Sequence, residues 1–560
     1  MRLARPLVAT GVGLALADAS VVTLALPELI LELETTVEGV AAVLGVYTVV
    51  LAAALIPAEK LRRKLGSRRL GAGAFIVFAA AGLGCGLAGS LAALLLLRGL
   101  QALGAAAGLV CGFAFLTTGE RDRERLWTAA AVLGAAVGPA LGGVLTELFD
   151  WRAIFLVQAP VGVLSAAAFL GSREAPMVPE SPHLASREKS SLTWGRIDLL
   201  GPAIALALVS AALSAVLFLL VLLLVSGWSV SPLEAALVVA IVPVAALIGM
   251  RFHGDPRLRA IAGCALVGAG VLALAFLPTA SVAWTVLPQV LAGLGMGLAL
   301  TSLVGPLLPE ETPAQTATLL AIRHGGITLA LLLLAPIAAA QLDRSVIDTR
   351  ERGAALVLDA RLPPLDKIEL ASAVTADLDP VDPRETLRRS LDEGAASVGD
   401  DPDSSAAYAD LARRADETLI TGINDAFGPA FLVTGGLALL GALALVPRSG
   451  ARVTRVSAVV AGTALALSGA QAAAATAAEP DPVVIADPCE GRDLPQTGAI
   501  DGIVQDLALV GLHRAACEFG SSREELAIAL VDDEAAARYE EEHGVDPRSI
   551  GDLARGALGF

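Results

Sequence analysis

Apolar runs of about 20 residues return thirteen times along this chain, and that is the length an α-helix needs to cross a hydrocarbon core of ~30 Å. None of them alternates apolar with polar residues as a barrel strand would, so the spanning elements are helices. Composition agrees. With 55% apolar and 17% charged residues, a chain of 560 residues has too little polar surface to clothe a soluble globule. The fold class is an all-α polytopic membrane protein, with the lipid bilayer as its first partner.

Charge then sorts the loops. Arg2 and Arg5 precede the first run, residues 7–31, and the second, 37–57, leads into EKLRRKLGSRR, the densest basic cluster. Basic loops stay in the cytoplasm, which places this loop and the N-terminus there. Runs 70–87 and 91–115 are joined without Lys or Arg, and the second ends in the basic GERDRERLW. Two more spans around residues 132–161 complete a six-helix half, residues 1–171. Residues 172–198, a polar stretch holding Arg173, Arg187, Lys189 and Arg196, are expected as a cytoplasmic linker.

A second half, residues 199–447, repeats the pattern with runs at 199–226, 235–250, 261–277, 282–300, 312–342 and 427–446. Cutting 199–226 into two crossings would leave about 14 residues each, too few for a bilayer. Thr312 and Pro313 read as the cap and first turn of a helix. The net charge of −16 comes from two acidic stretches, residues 343–424 and 479–560. The first is expected outside as an insertion of two to four short helices, a cap or a solvated loop. A thirteenth run, 456–478, has a basic start and a small-residue end, so it reads as a retained helix or an internal signal-like segment. Either way the acidic domain at 479–560 lies outside. There Cys489 and Cys517, on an oxidising face, are expected to pair.

The most specific stretch is VLGAAVGPALGGVLTELFDWRAIFLVQAPV. Gly134, Gly138 and Gly142 fall at i, i+4 and i+8, with Pro139 and Gly143 beside them, so one helix face is bared for close packing. Trp151 and Arg152 follow at the expected membrane interface. This pattern resembles the antiporter motif in the fifth helix of major facilitator superfamily exporters, and the Trp-Arg continuation resembles their drug:proton antiporter branch. The resemblance implies a fold of two six-helix halves, here with one added helix and a small external helical domain.

Other stretches resemble the same branch. Asp18, in DASVVTLALP, is similar to the first-helix motif, with Thr23 where Asn is usual; an acid placed mid-span must face a cavity or a partner. Arg98 and Gln101, in LLLLRGLQALGAAAG, resemble the fourth-helix motif with Ala102 for a glycine, and the resemblance implies proton transfer at Arg98. Arg323 and His324, in LLAIRHGGITLA, resemble a late-helix Arg-x-x-Gly-Gly segment shortened by one residue; snorkelling, or a tether to Glu310 or Glu311, is the plain reading. With Gln158, these residues are the expected lining of a midplane cavity for protons and substrate. The loop after the second span departs from the family's GxLADxxGRR. Aligning Gly66, Arg68 and Arg69 puts Glu59 at the first glycine and Arg63 at the acidic position, so the charge network of that loop must be rewired or strict coupling lost.

These features imply efflux of a small amphipathic or hydrophobic compound from the cell across the plasma membrane, driven by a proton gradient with no cofactor. No GxxxxGK[ST] nucleotide site, catalytic constellation, metal-ligand spacing or nucleic-acid signature is visible, so the chain reads as no enzyme. The rival is a membrane sensor or anchor with a degenerate transporter core and external binding domains. No feature names the partner of the C-terminal domain.

Overall fold

The computed structural model describes residues 3–117, 122–172, 197–360, 367, 383–395, 402–490 and 500–549. Among them twelve helices are long and apolar enough to cross a membrane. The chain is a multi-pass membrane protein. Most of the linker 172–198 and the segment 368–382 of the insertion lie outside the described residues.

The first half contains α1 (Ala4–Thr23), α2 (Leu26–Glu32), α3 (Val37–Leu65), α4 (Ser67–Gly86), α5 (Leu91–Thr117), α6 (Asp122–Leu148) and α7 (Trp151–Gly171). The first apolar run stops earlier than expected. Its chain turns at Leu24 and Ala25, and Pro27 starts the separate short helix α2, where a missing N–H costs nothing. Helix α6 is a 27-residue helix packed along α1.

In the second half, α8 (Ile197–Leu222) is closed by a π-turn at Leu223–Gly227, and residues Leu199–Gly227 make one 29-residue apolar crossing. The next crossing is split into α9 (Pro232–Val239) and α10 (Ile241–Gly249). Pro243 has no N–H to offer the Val239 carbonyl, and the helix breaks one turn before it. Then follow α11 (Pro256–Ala273), α12 (Ala283–Leu303) and α13 (Pro313–Asp359), the last started by a capping box between Thr312 and Gln315. Helices α14 (Pro383–Ala395), α15 (Pro402–Leu445) and α16 (Ala451–Ala478) complete the bundle.

Helix α13 has 47 residues and α15 has 44. At 1.5 Å per residue each runs to about 70 Å, more than twice a ~30 Å hydrocarbon core. The acidic insertion is therefore built from two membrane helices prolonged beyond the bilayer, with α14 laid against them. The segment SSAAYADLARRADETL, expected as a short separate helix, is the arm of α15. Arg384 of α14 clamps Asp416 of α15 with two bonds of 2.8 Å, and Tyr408 donates to the Leu391 carbonyl at 2.5 Å.

The halves meet chiefly through α3 against α13 and α6 against α9. Helix α16 packs along α11 and buries only Ser457, Ala464, Ser468, Gln471 and Ala475, a seam of small and polar residues. Ser468 donates to the Ala269 carbonyl at 2.5 Å and Gln471 to the Trp284 carbonyl at 2.9 Å. Beyond it, α17 (Ile500–Phe519), α18 (Arg523–Val531) and α19 (Asp533–His543) surround a small core of Ala515, Ala516, Leu526, Ala529 and Tyr539. The sequence pattern predicts two helices here. The second is cut at Asp532, whose carboxylate caps the Ala535 N–H at 2.7 Å and starts α19. Cys489 and Cys517 are joined in a disulfide.

Candidate functional site

Four polar side chains from three helices close a ring inside the first half. Asp18 of α1 pairs with Arg98 of α5 at 2.5 Å. Arg98 donates to Gln101 at 2.8 Å, Gln101 to Gln158 of α7 at 2.8 Å, and Gln158 back to Asp18 at 2.9 Å. Asp18, Arg98 and Gln101 are fully buried and Gln158 nearly so. The guanidinium also lies 4.3 Å from the centre of the Tyr47 ring and 5.5 Å from that of Phe155. Burying two charges costs several kcal/mol each and is tolerated only where pairing and hydrogen bonds compensate. The ring supplies these for Asp18 and for one side of the guanidinium, and leaves the Arg98 Nη2 without a hydrogen-bond partner.

The sequence pattern puts these four residues on the central cavity. The structure places them behind it, within the first half, because each finds its partner on a neighbouring helix at once. The cavity lies between the halves. A space of about 320 Å³ is lined by Leu16, Trp127, Pro243, Met250, Met296, Leu300, Glu310 and Arg323 among others. It shares Leu16, Pro243, Met296, Leu300 and Arg323 with a deeper space of about 90 Å³ that reaches Ser20, Thr23, Thr48, Ser210, Ser214 and His324. Together they match the size range of small-molecule sites, with mostly apolar walls and few polar groups.

Arg323 and His324 do line this cavity. The His324 Nδ1 donates to the Leu320 carbonyl one turn back, at 2.9 Å, so its other ring nitrogen remains for the cavity side. Near Arg323, in the loop before α13, burial pushes the Glu310 carboxyl up to about 7, while the Trp127 side chain and the Arg323 charge act to lower it. Trp127 and Glu310 belong to opposite halves. Thr328 of α13 donates to Thr48 of α3 at 3.0 Å, a direct hydrogen bond between the halves. Nothing in the sequence marks out Thr48, Ser20, Ser210 or Ser214; single hydroxyls in apolar runs are too common to single out.

The cavity mouth lies toward Trp127, Met250 and Glu310, the end that also carries the basic turn after α3. Toward the other end the halves close. A Cβ on Gly143 would come within 2.7 Å of the Pro232 carbonyl of α9, and one on Gly134 would fall on the Gly13 carbonyl of α1. Gly138 and Gly142 meet Ser20 and Val21 in the same way, and Pro139 faces the deeper cavity. The bare face of α6 thus serves two contacts, one within its half and one across to the other.

Trp151 and Arg152, expected at the membrane interface, are engaged by the short helix α2. Trp151 is fully buried, its N–H donates to Glu28 at 2.9 Å, and its indole donates to Glu32. Arg152 pairs with Glu32 at 2.5 Å and lies 4.5 Å from the centre of the Trp151 ring. The two acids of α2 sit one turn apart, and this draws the start of α7 inward; no local stretch of sequence shows the match. The Arg152 guanidinium holds Glu32 below the usual carboxylate range, and burial raises Glu28 above it.

In the basic turn Glu59 is buried and accepts from Arg62 at 2.6 and 2.9 Å and from Arg63 at 3.0 Å. Arg62 reaches on to Ser67 at 3.3 Å, and Arg68 donates to the Leu170 carbonyl of α7 at 2.5 Å. Gly66, at φ 81°, makes the sharp turn between α3 and α4, and Arg69 lies in the first turn of α4. The acid missing from the loop has a counterpart one helical turn earlier.

Comparison with known proteins gives a consistent picture. Residues 8–340 match the family described as Major Facilitator Superfamily. Over 166 residues the chain is 36% identical to the multidrug resistance protein Stp of Mycobacterium tuberculosis, covering 28% of this chain and 31% of that protein. It is 33% identical over 200 residues to the cephamycin export protein CmcT of Amycolatopsis lactamdurans, covering 34% and 38% respectively. These alignments span about a third of each relative's length. In fold, it is similar to a bacterial homologue of the human lysosomal transporter Spinster in an inward-facing, unoccupied conformation, with a TM-score of 0.52, 17% identity, and coverage of 80% of this chain and 98% of that one.

Proposed function

Because this chain belongs to the major facilitator superfamily, a family of transporters rather than enzymes, we propose that it exports small amphipathic or hydrophobic organic compounds in exchange for protons. The single observation that carries this reading is the pairing of a closed charge ring with a separate, mostly apolar cavity open at one end. The open end bears the basic turn, so by the bias of basic loops it faces the cytoplasm, and both the outer arms and the C-terminal domain lie outside.

In this mechanism substrate enters from the cytoplasm and rests against Leu16, Met296 and Leu300, with Arg323, His324 and the hydroxyls of Thr48 and Ser210 supplying orientation. Asp18 holds the transported proton. Its carboxylate is neutralised either by Arg98 or by a proton, and protonation releases the guanidinium to its Gln101 and aromatic contacts. Rocking of the halves about the α3–α13 contact exposes the cavity to the other side. Relatives named as export and resistance proteins support the direction of transport. The proton gradient supplies the energy, without a bound cofactor.

Everted membrane vesicles test this. With a pH gradient imposed, vesicles bearing the protein should accumulate lipophilic test compounds, and a protonophore should abolish the uptake. Vesicles that accumulate nothing under any gradient would leave the sensor reading standing instead.

A further inference from the structure

The C-terminal domain does not hang free of the bundle. Its helix α18 lies on the distal arm of α13, where Ala354 packs with Ile528 and Ala535. Two ion pairs flank this apolar contact. Arg523 reaches Asp359 at 3.0 Å, and Arg350 stands 4.0 Å from Asp532. Arg523, almost fully buried, is also held by Glu524 at 2.6 Å. Lys367, bonded to the Leu358 carbonyl at 3.0 Å, stands near the Asp359 end.

Acids crowd the middle of this junction. Glu351 stands on the α13 arm between Arg350 and Ala354, both of which touch the domain, and Glu525, Glu542 and His543 of the domain bring their side-chain polar atoms within 4.8 Å of one another. The charges of Glu525 and Glu524 from α18, Glu542 from α19 and Asp348 from its own helix all act on the Glu351 carboxyl. The nearby cations are already engaged: His543 bonds Glu525 at 3.0 Å, and Arg523 and Arg350 serve the pairs just described. Three of the four carboxylates around Glu351 arrive only when the domain docks.

We propose that this junction is a pH-operated clasp, in which a proton on Glu351 lets the C-terminal domain close on the arm of α13 and its loss loosens the grip. Helix α13 also brings Arg323 and His324 to the cavity and Thr328 to Thr48 of the other half. A domain that holds its far arm therefore acts on the helix bridging the halves, whatever compound the cavity carries.

The direction follows from linkage. Burial first, and the charges of these carboxylates second, push the Glu351 carboxyl from 4.5 up to about 7 in the docked arrangement. Below its ordinary value the group is protonated in both arrangements, and docking carries no penalty. As pH rises from there to about 7 the penalty grows, and above that it is constant. After allowance for solvent screening, the ratio of docked to undocked domain should fall by about tenfold or more.

The test uses the full chain in lipid nanodiscs, with spin labels on cysteines placed at the exposed positions Val346 and Val531. Between pH 5 and pH 8 the short inter-label distance should give way to a longer population. Glu351→Gln should keep the short distance throughout, and Glu525→Gln should shrink the response even if the first variant folds poorly. His543→Gln should leave the response in place. A distance that ignores pH in the native chain, or an unchanged response in Glu351→Gln, would overturn the proposal; so would its loss in His543→Gln, which would move the sensing to the histidine.

Discussion

The two halves of this chain handle buried charge in opposite ways. The first half closes Asp18 and Arg98 into a ring with Gln101 and Gln158, away from the cavity. The second half places Arg323, His324 and Glu310 on the cavity wall itself. An internally neutralised ring can change protonation without any contact with the cargo. Groups on the wall cannot, since whatever enters the cavity must meet them. In the proposed mechanism this difference assigns energy coupling to the ring and recognition to the cavity wall.

The sharpest way to break that division is Asp18→Asn. It keeps a hydrogen-bonding group for Gln158 but leaves the Arg98 charge buried without its counter-ion, a change that typically costs about 3–5 kcal/mol. Efflux driven by a pH gradient should fall by roughly two orders of magnitude, with a clear drop in thermal stability. Undiminished gradient-driven efflux in this variant would remove Asp18 from coupling.

Gly143→Leu is next in size. A side chain there drives into the Pro232 carbonyl, so the outer closure between α6 and α9 cannot form. Cross-linking between cysteines at Val144 and Leu237 should fall several-fold, and transport with it, while the ring in the first half stays intact. Efflux at the native level would show that the close approach is dispensable.

Arg323→Gln should weaken binding of anionic compounds by about tenfold, in keeping with a charge-assisted contact worth ~1.5–3 kcal/mol, and leave neutral ones nearly unaffected. Equal losses for both classes would place Arg323 outside recognition. A pH series sharpens the same point. Burial pushes the Glu310 carboxyl up to about 7. Binding of cationic compounds should strengthen as pH rises through that value, and Glu310→Gln should flatten the curve.

The smallest effect is expected at the outer clamp. The Arg152–Glu32 pair is partly exposed, so Arg152→Ala should cost only about 1 kcal/mol or less in thermal unfolding. A larger loss would point to the stacking of Arg152 on Trp151 as the stronger part of that contact.

Much of this architecture is legible in the amino-acid sequence. Hydrophobic run length locates the spans, including the undivided crossing at Leu199–Gly227, because lipid fixes helix length. The residues of the ring stand out as polar groups where polar groups are expensive. Their mutual contacts do not, since 80 residues separate Asp18 from Arg98 and 140 separate it from Gln158. The long arms of α13 and α15 escape notice for a related reason: once a helix leaves the bilayer, composition turns polar and the boundary looks like an end.

The order of residues alone thus sets the solvent this protein lives in, the succession of its crossings and the residue types that must find partners. Those follow from local composition, which lipid reads directly. Which partner each charge found, which side of the bundle stayed open, and where the C-terminal domain gripped were decided only by the packing of distant helices. Such pairings depend on sub-nanometre distances that no stretch of chain encodes alone.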